Sequence, residues 1–430
     1  MSTPRADIRH VLLLGATGFI GTRLLDELVG AGYQVTCAAR KPPESLKCRS
    51  IEVDYSREWS ETDWLPLLIG IDAVINAVGI LRERGAASFH AIHVAAPRTL
   101  FGACAHAGIK TVIQLSALGA DEDAASEYHR SKKEADDYLA SLAVPWVIVQ
   151  PSLVFGAGGP SASLFTMLAA LPAVPLPGTG AQSVQPVHID DVSLAIVRLL
   201  GTRAFERQRI PAVGPQPLTL REYLRALRRS MGLDEARFVS IPMPLVRAGA
   251  ALGDKLPGSL LDRESLGMLM RGNVASAAAI TAVLGRPPRP VEAFIDPASA
   301  RAFATEARLA WLLPLLRWAV ALVWIVTGIV SLGIYPVSAS YALLARVGLV
   351  GAAASIALYG AAVLDLAIGF AILAMRRSRW LWRAQMLLIL GYTILITIFL
   401  PEFWLHPYGP VLKNLPLFAA IVFLHEFETA

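Results

Sequence analysis

The sequence predicts two unlike parts: a doubly wound α/β domain with a parallel sheet and a small inserted lobe, then an all-α bundle of four membrane helices. Three observations predict it. Short apolar runs alternate with amphipathic stretches through the first part, as strands and helices do around a parallel sheet. A glycine-rich turn follows the first of these runs. Charge then thins from residue 311, beyond which the chain holds seven Lys/Arg and four Asp/Glu. That is about one charge in eleven residues, against about one in five before it, where soluble domains carry about one in four. The whole chain is 54% hydrophobic and 17% charged, with a mean hydropathy of +0.51, which excludes disorder. The net charge of +5 comes without a basic block interleaved with aromatics, so no nucleic-acid partner is expected.

Residues 1–284 are expected to form the α/β domain with its lobe, 285–305 a linker and 306–430 the membrane domain. Val11–Leu14 is a four-residue apolar run suited to a strand buried on both faces. A secretory leader needs an apolar core of about 7–15 residues, so none is expected here. Ile20–Val29 reads as an amphipathic helix, and Gln34–Ala39, Ile51–Val53 and Ala73–Ile75 as the next strands. Ala86–Ala107 reads as a long helix, Thr111–Leu115 as a strand, Glu127–Leu142 as a helix and Trp146–Val149 as a strand. From Pro151 the pattern loosens into a lobe, with helices at Asp191–Leu200, Leu220–Met231 and Leu260–Met270. Short strands are expected around Val184–His188 and Phe238–Ile241. The Pro-rich stretch opening at Gly285 reads as the linker. Cys37, Cys48 and Cys104 show no paired spacing and read as reduced thiols, and no His/Cys/Asp spacing suggests a metal.

Beyond the linker lie four candidate spans. Trp318–Ala345 is uncharged and divided near Pro336, Val347–Met375 has the single charge Asp365, and Ala384–Leu400 has none. A fourth, weaker one approaches from Lys413 to Leu424. Arg376, Arg377, Arg379 and Arg383 separate the second and third spans, whereas only Arg346 separates the first two. The positive-inside rule then puts loop 376–383 in the cytoplasm. With four spans, both termini and the soluble domain are cytoplasmic, on a multi-pass inner-membrane protein. Trp380, Trp382, Trp404 and Tyr408 fit interfacial anchors.

The turn Gly15-Ala16-Thr17-Gly18-Phe19-Ile20-Gly21 sits between a predicted strand and a predicted helix. There glycine lets the backbone approach a pyrophosphate, whose charge rests on the helix N-terminus, so the domain is expected to be of the Rossmann type. Arg40 and Lys41 follow the second strand, where an acidic residue would take the ribose hydroxyl of NAD. Basic residues there suit a 2′-phosphate, which favours NADP(H) over NAD(H) as cofactor. Asp54 ends the third strand, either as an adenine contact or as a surface aspartate, and Ala77-Val78-Gly79 leaves room beside the cofactor after the fourth. Ser116 ends the fifth strand, and Tyr128 and Lys132 share a helical face. An ammonium beside a phenol lowers its pKa, so Tyr128 is expected to serve as acid or base near neutral pH.

With Gly15/Gly18/Gly21, Ser116 and Tyr128-x-x-x-Lys132 in view, residues of about 8–290 resemble the short-chain dehydrogenase/reductase superfamily. Gln150–Gly156 and Val187–Val192 are similar to its extended and atypical branches, which include sugar-nucleotide epimerases and an accessory subunit of respiratory complex I. The resemblance implies that Tyr128 is the acid/base, Lys132 its tuner and ribose contact, and Ser116 the contact to the substrate oxygen. Pro151 and Leu153 would border the nicotinamide. His93 departs from the Asn that many extended members place in the long helix. Residues of about 310–428 resemble DoxX-like four-helix membrane domains, through Trp324…Thr327-Gly328, Asp365…Gly369, Gly391-Tyr392-Thr393 and Pro407–Pro410…Lys413-Asn414. That resemblance implies a loose link to quinone-related redox chemistry.

Asp365 sits midway along an apolar span, where a carboxylate faces a cavity or a partner. It reads equally as a proton relay or headgroup contact, and as a structural acid. The chain is thus expected to be a membrane-anchored NADP(H)-dependent oxidoreductase or epimerase acting on a carbonyl or hydroxyl carbon. The alternative is a non-catalytic NADPH-binding module that senses redox state or assembles with a membrane complex. The expected partners are a small-molecule, lipophilic substrate, the lipid bilayer, and a membrane-protein partner or a second copy of the chain.

Overall fold

Residues 7–41, 48–255, 262–375 and 377–428 are described by a computed structural model of the chain. Two units are distinguished, Met1–Ala307 and Arg308–Ala430.

In the first unit the Val- and Ile-rich runs become the central strands, while the polar, exposed Arg49–Glu52 forms an edge. The strands are β1 (His10–Leu14), β2 (Gln34–Ala39), β3 (Arg49–Glu52), β4 (Ala73–Asn76), β5 (Thr111–Leu115) and β6 (Trp146–Pro151). With the strand Gln208–Ala212 they form a seven-stranded sheet in the order Gln208–Ala212, β6, β5, β4, β1, β2, β3. All of its pairings are parallel. Chain order reverses between β1 and β4, so the carboxyl ends of these two strands flank the crevice where such sheets bind ligands. One face packs Leu24, Leu28 and Ile196 against Val11, Leu13 and Ile75. The other packs Trp64, Phe101 and Leu139 against Leu12, Val74 and Val112. Burial on both faces is what a doubly wound sheet requires.

The long helix expected over Ala86–Ala107 begins later. Residues Arg84 and Ala87 form a bridge, Phe89 N–H donates to Glu83 Oε1 at 2.6 Å, and the helix runs as a wide turn over His90–Ala95 and then as Ala96–His106. In the lobe, Ile189–Leu200, Leu220–Ser230 and Arg263–Arg271 are helical. Residues 260 and 261, where the last of these was expected to start, lie outside the described residues. Met243–Gly253 is a further helix that the sequence pattern did not reveal.

The stretch 285–305 is not the linker expected. Arg286 Nη2 and Arg289 N–H donate to the fully buried Asp191 at 2.5 and 2.7 Å, and Val291, Phe294 and Ile295 are buried in the lobe core. Two hydrogen bonds to a buried carboxylate and three apolar side chains fasten it down.

Among the described residues three helices are long and apolar enough to cross a membrane: Ala300–Ile334, Ala352–Ala374 and Arg379–Phe399. The first ends before Pro336, and Val337–Arg346 is a separate short helix. Expectation and structure part at the fourth span. Asn414–Glu428 has 15 residues, about 22 Å at ~1.5 Å per residue, which falls short of the ~30 Å hydrocarbon core. The even span count that put both termini on one side goes with it. The first two long helices meet through glycine: a Cβ at Gly328 would lie 2.8 Å from Ala362 O, and one at Gly369 2.5 Å from Ile325 Cγ1. Asp365 sits between Ala362 and Gly369 in this seam, buried, with Oδ1 lacking a hydrogen-bond partner. Trp382 is not an interfacial anchor. It is 1% exposed in the bundle core beneath the Arg317 guanidinium, whereas Trp380 is 77% exposed. Arg376, expected in the basic loop, lies outside the described residues.

Candidate functional site

The crevice is built from three glycines and a lysine. Gly15 has φ +79°, and a Cβ there would lie 2.8 Å from both C and O of Ala77, so only glycine lets the β1 turn touch the end of β4. A Cβ on Gly21 would lie 2.0 Å from Gly15 O, which fixes how closely the helix Phe19–Gly30 (α1) approaches the turn. No side chain caps α1 at Gly18, so its first N–H groups are left for an anion. Thr17 and Gly18 are exposed above them, Ile20 packs into the core below, and the Phe19 ring lies against Gly156 and Gly159.

Arg40 and Lys41 are both exposed just beyond β2. Asp54 Oδ1 already accepts the Ser56 N–H and O–H at 2.9 and 2.7 Å. The Ser56 hydroxyl first, then its N–H and the charge of Arg40, hold the Asp54 carboxyl below the usual range. Under the crevice lies a buried polar row that sequence reasoning missed. Tyr55 O–H donates to Asn76 Oδ1 at 3.0 Å, and Asn76 Nδ2 donates to Gln114 Oε1 at 2.8 Å. It holds the end of β4 rigid, and so holds Ala77, Val78 and Gly79 in place.

The helix Glu127–Ser141 starts at Ser126, whose side chain caps His129 N–H, and brings Tyr128 and Lys132 to the same end of the sheet. Lys132 Nζ donates to Val78 O at 3.3 Å and to Leu115 O at 3.1 Å, and a Cβ on Gly79 would lie 3.0 Å from it. Two buried carbonyls thus fix the ammonium between β4 and β5. Tyr128 is half-buried among the rings of Phe89, His93 and His129. His93 Nε2 accepts the Ile80 N–H at 3.0 Å, and Nδ1 lies 2.9 Å from Ser131 Oγ. Nδ1 therefore carries the proton. Burial, then the Lys132 charge, push the His93 pKa down to about 2, so the ring is a neutral wall beside Tyr128.

Two expectations meet different geometry. Ser116 points its hydroxyl into the protein, where it donates to Asp136 Oδ2. Asp136 is fully buried one helical turn past Lys132, and its Oδ1 has no partner. A Tyr128–Lys132–Asp136 spacing of four was the signal that could have found it. Nor does the lysine dominate the phenol: burial first, and the Asp136 charge second, push the Tyr128 pKa up to about 12. Burial lowers Lys132 and raises Asp136, each partly offset by the other's charge. The site therefore presents a neutral phenol, a proton donor at physiological pH. Pro151 and Leu153 stand at the adjoining end of β6, where Pro151 O accepts Leu118 N–H and Leu153 O accepts Val187 N–H, at 2.9 Å each. A cleft of about 1400 Å³ reaches the glycine turn through Thr17, Gly18 and Phe19, and Tyr128 is not among its lining residues.

Residues 11–214 match the NAD dependent epimerase/dehydratase family and residues 321–422 the DoxX-like family. The chain joins an epimerase/dehydratase domain to a DoxX-like domain. A ceramide reductase of Caulobacter vibrioides is 25% identical over 247 residues, 57% of this chain and 77% of that one. Mitochondrial NADH dehydrogenase (ubiquinone) 1 alpha subcomplex subunit 9 of Arabidopsis thaliana is 27% identical over 251 residues, 56% of this chain and 62% of its own length. Among solved structures, MoeE5 in complex with UDP-glucose and NAD superposes with a TM-score of 0.52 at 20% identity, over 70% of this chain and 98% of that one. The glycine cradle and the open α1 terminus fit an NAD(P) cofactor, in keeping with the similarity of this part of the chain to the epimerase/dehydratase family.

Proposed function

We propose that the protein reduces the carbonyl of a lipophilic substrate with NADPH. The observation that carries this reading is the neutral Tyr128 phenol beside a Lys132 ammonium fixed at the end of β4. A bound nicotinamide supplies hydride to the carbonyl carbon. Tyr128 gives its proton to the carbonyl oxygen as the alcohol forms. Lys132, one helical turn on, would stabilise the phenolate that results, which then takes a proton from solvent. Asp136 raises the proton affinity of both groups, which keeps the phenol protonated at neutral pH until the substrate oxygen takes its proton. Arg40 and Lys41 support NADP(H) as the cofactor. The ceramide reductase relative and the apolar second unit support a lipid carrying a ketone. The positive charge of Arg377, Arg379 and Arg383 supports a cytoplasmic side for that loop.

One observation favours a second reading, a non-catalytic NADPH module within a membrane assembly. The Ser116 hydroxyl is held by Asp136, which leaves the substrate oxygen one donor fewer. The test is to incubate the purified full chain in nanodiscs with NADPH and a long-chain ketoamide, and to follow NADPH loss and alcohol formation by mass spectrometry. Stoichiometric alcohol is expected. Tight NADPH retention with no product, together with a co-purifying protein, would establish the second reading.

A further inference from the structure

Among the described residues of the first unit, Leu245, Leu252 and Met270 are large apolar side chains left exposed on one pair of packed helices. Leu245 and Leu252, each 63% exposed, lie on the helix Met243–Gly253, and Met270 on the helix Arg263–Arg271. The two helices pack on each other through Val246, Ala250 and Leu266. They form a pair with one apolar side inward and another outward. Single exposed hydrophobics need no explanation, but a cluster does.

This pair is fastened over the proton donor. Glu264 Oε1 accepts the Tyr128 N–H at 3.2 Å, Arg271 reaches Gly119 O at 2.9 Å and Asp121 at 2.5 Å, and Asp262 pairs with Arg82. The first of these bonds is to the backbone of Tyr128 itself. The pair's acids are thus engaged, Asp254 also pairing with Arg263 at 3.4 Å. Arg247 on the first helix and Lys255 just past its end are exposed, as is Arg263, whose partner is Asp254, so the exposed charge at the pair is positive on balance.

We propose that this helix pair is a membrane-docking surface that sinks Leu245, Leu252 and Met270 among the acyl chains of an anionic bilayer. Arg247 and Lys255 then meet the lipid phosphates, the arrangement of an interfacial amphipathic element. The occupant is a bilayer because the chain carries spans that keep it at one, and because the charge around the apolar patch is complementary to anionic headgroups. Where the proposal rests on the reductase reading, it adds the route: a lipophilic ketone passes from the bilayer beneath the pair to Tyr128 without crossing water.

Docking is tested without activity. Leu245→Cys and Leu252→Cys, in a Cys48→Ser background, are labelled with bimane in the full chain, held in nanodiscs of phosphatidylcholine and phosphatidylglycerol. Ile69→Cys, 81% exposed and outside the cluster, is the control. Brominated acyl chains are expected to quench positions 245 and 252 several-fold more than 69, and to do so less in phosphatidylcholine alone. Equal quenching at all three overturns the proposal. So does a label shielded from water yet untouched by brominated lipid, which identifies a second protein chain as the occupant. The double variant Leu245→Glu, Leu252→Glu is expected to raise KM several-fold for a membrane-dispersed ketone and to leave it unchanged for a short water-soluble one. Failure of that arm with quenching intact counts against the reductase reading alone.

Discussion

Replacing Asp136 by Asn probes the electrostatics behind the proton donor. Asp136 is fully buried, and burial raises its pKa from 3.8 to about 7 even after the Ser116 hydroxyl and the Lys132 charge have pulled it down. A carboxyl raised in the folded state stabilises below its unfolded pKa, and that stability is lost as pH climbs through the folded value. From pH 4 to pH 7 this one group takes away up to about 4 kcal/mol, at ~1.36 kcal/mol per pH unit, on top of what the other carboxyls contribute. The Asn side chain still accepts the Ser116 hydroxyl but has no proton to release, so the loss is absent from the variant and shows as a difference between the two proteins. Thermal melts of the full chain in detergent at pH 4, 5, 6, 7 and 8 measure this, at roughly 2 °C or more per kcal/mol. The wild-type midpoint should fall relative to the variant by several degrees across the series. The Tyr128 pKa should drop in the variant, since the Asp136 charge raises it. Parallel melting curves for the two proteins would refute the claim that Asp136 is held in strained burial beside Lys132.

Other substitutions test other parts of the crevice. Gly21→Ala puts a Cβ 2.0 Å from Gly15 O, against backbone that cannot yield, and should abolish dinucleotide binding by calorimetry with a loss of about 1–3 kcal/mol in stability. Changing Arg40 and Lys41 together to Glu should shift the NADPH/NADH preference toward NADH by 10-fold or more, about 1.4 kcal/mol or above, as read from both dissociation constants. Arg286→Ala leaves Asp191, 0% exposed, with one cationic partner fewer, and should cost about 3 kcal/mol in denaturant unfolding, with faster proteolysis within 285–305.

Much of the first unit was legible because its signals are local. Apolar runs read directly as β1, β2 and β5, the Gly15–Gly21 turn read as a cofactor cradle, and a spacing of four put Tyr128 and Lys132 on one face. What stayed hidden depends on three-dimensional direction. Ser116 stands at a strand end, and no pattern tells whether its hydroxyl faces a substrate or the Glu127–Ser141 helix. Composition suggests a loose linker at 285–305, yet the buried Asp191 that captures Arg286 and Arg289 lies almost a hundred residues earlier. Trp382 looks like an interfacial residue by position but turns into the bundle core. Asn414–Glu428 has the hydropathy of a span but not the length.

The central claim is that Tyr128 protonates the carbonyl oxygen as hydride arrives. The direct measurement is single-turnover transfer of deuterium from 4-deuterated NADPH to a long-chain ketoamide, comparing the wild-type chain with Tyr128→Phe at pH 7. The account predicts deuterium on the alcohol carbon in the wild type, and a rate at least 100-fold lower in the variant with NADPH affinity unchanged, within the 10²–10⁴-fold typical of general acid catalysis. Equal rates of deuterium transfer in the two proteins would contradict it.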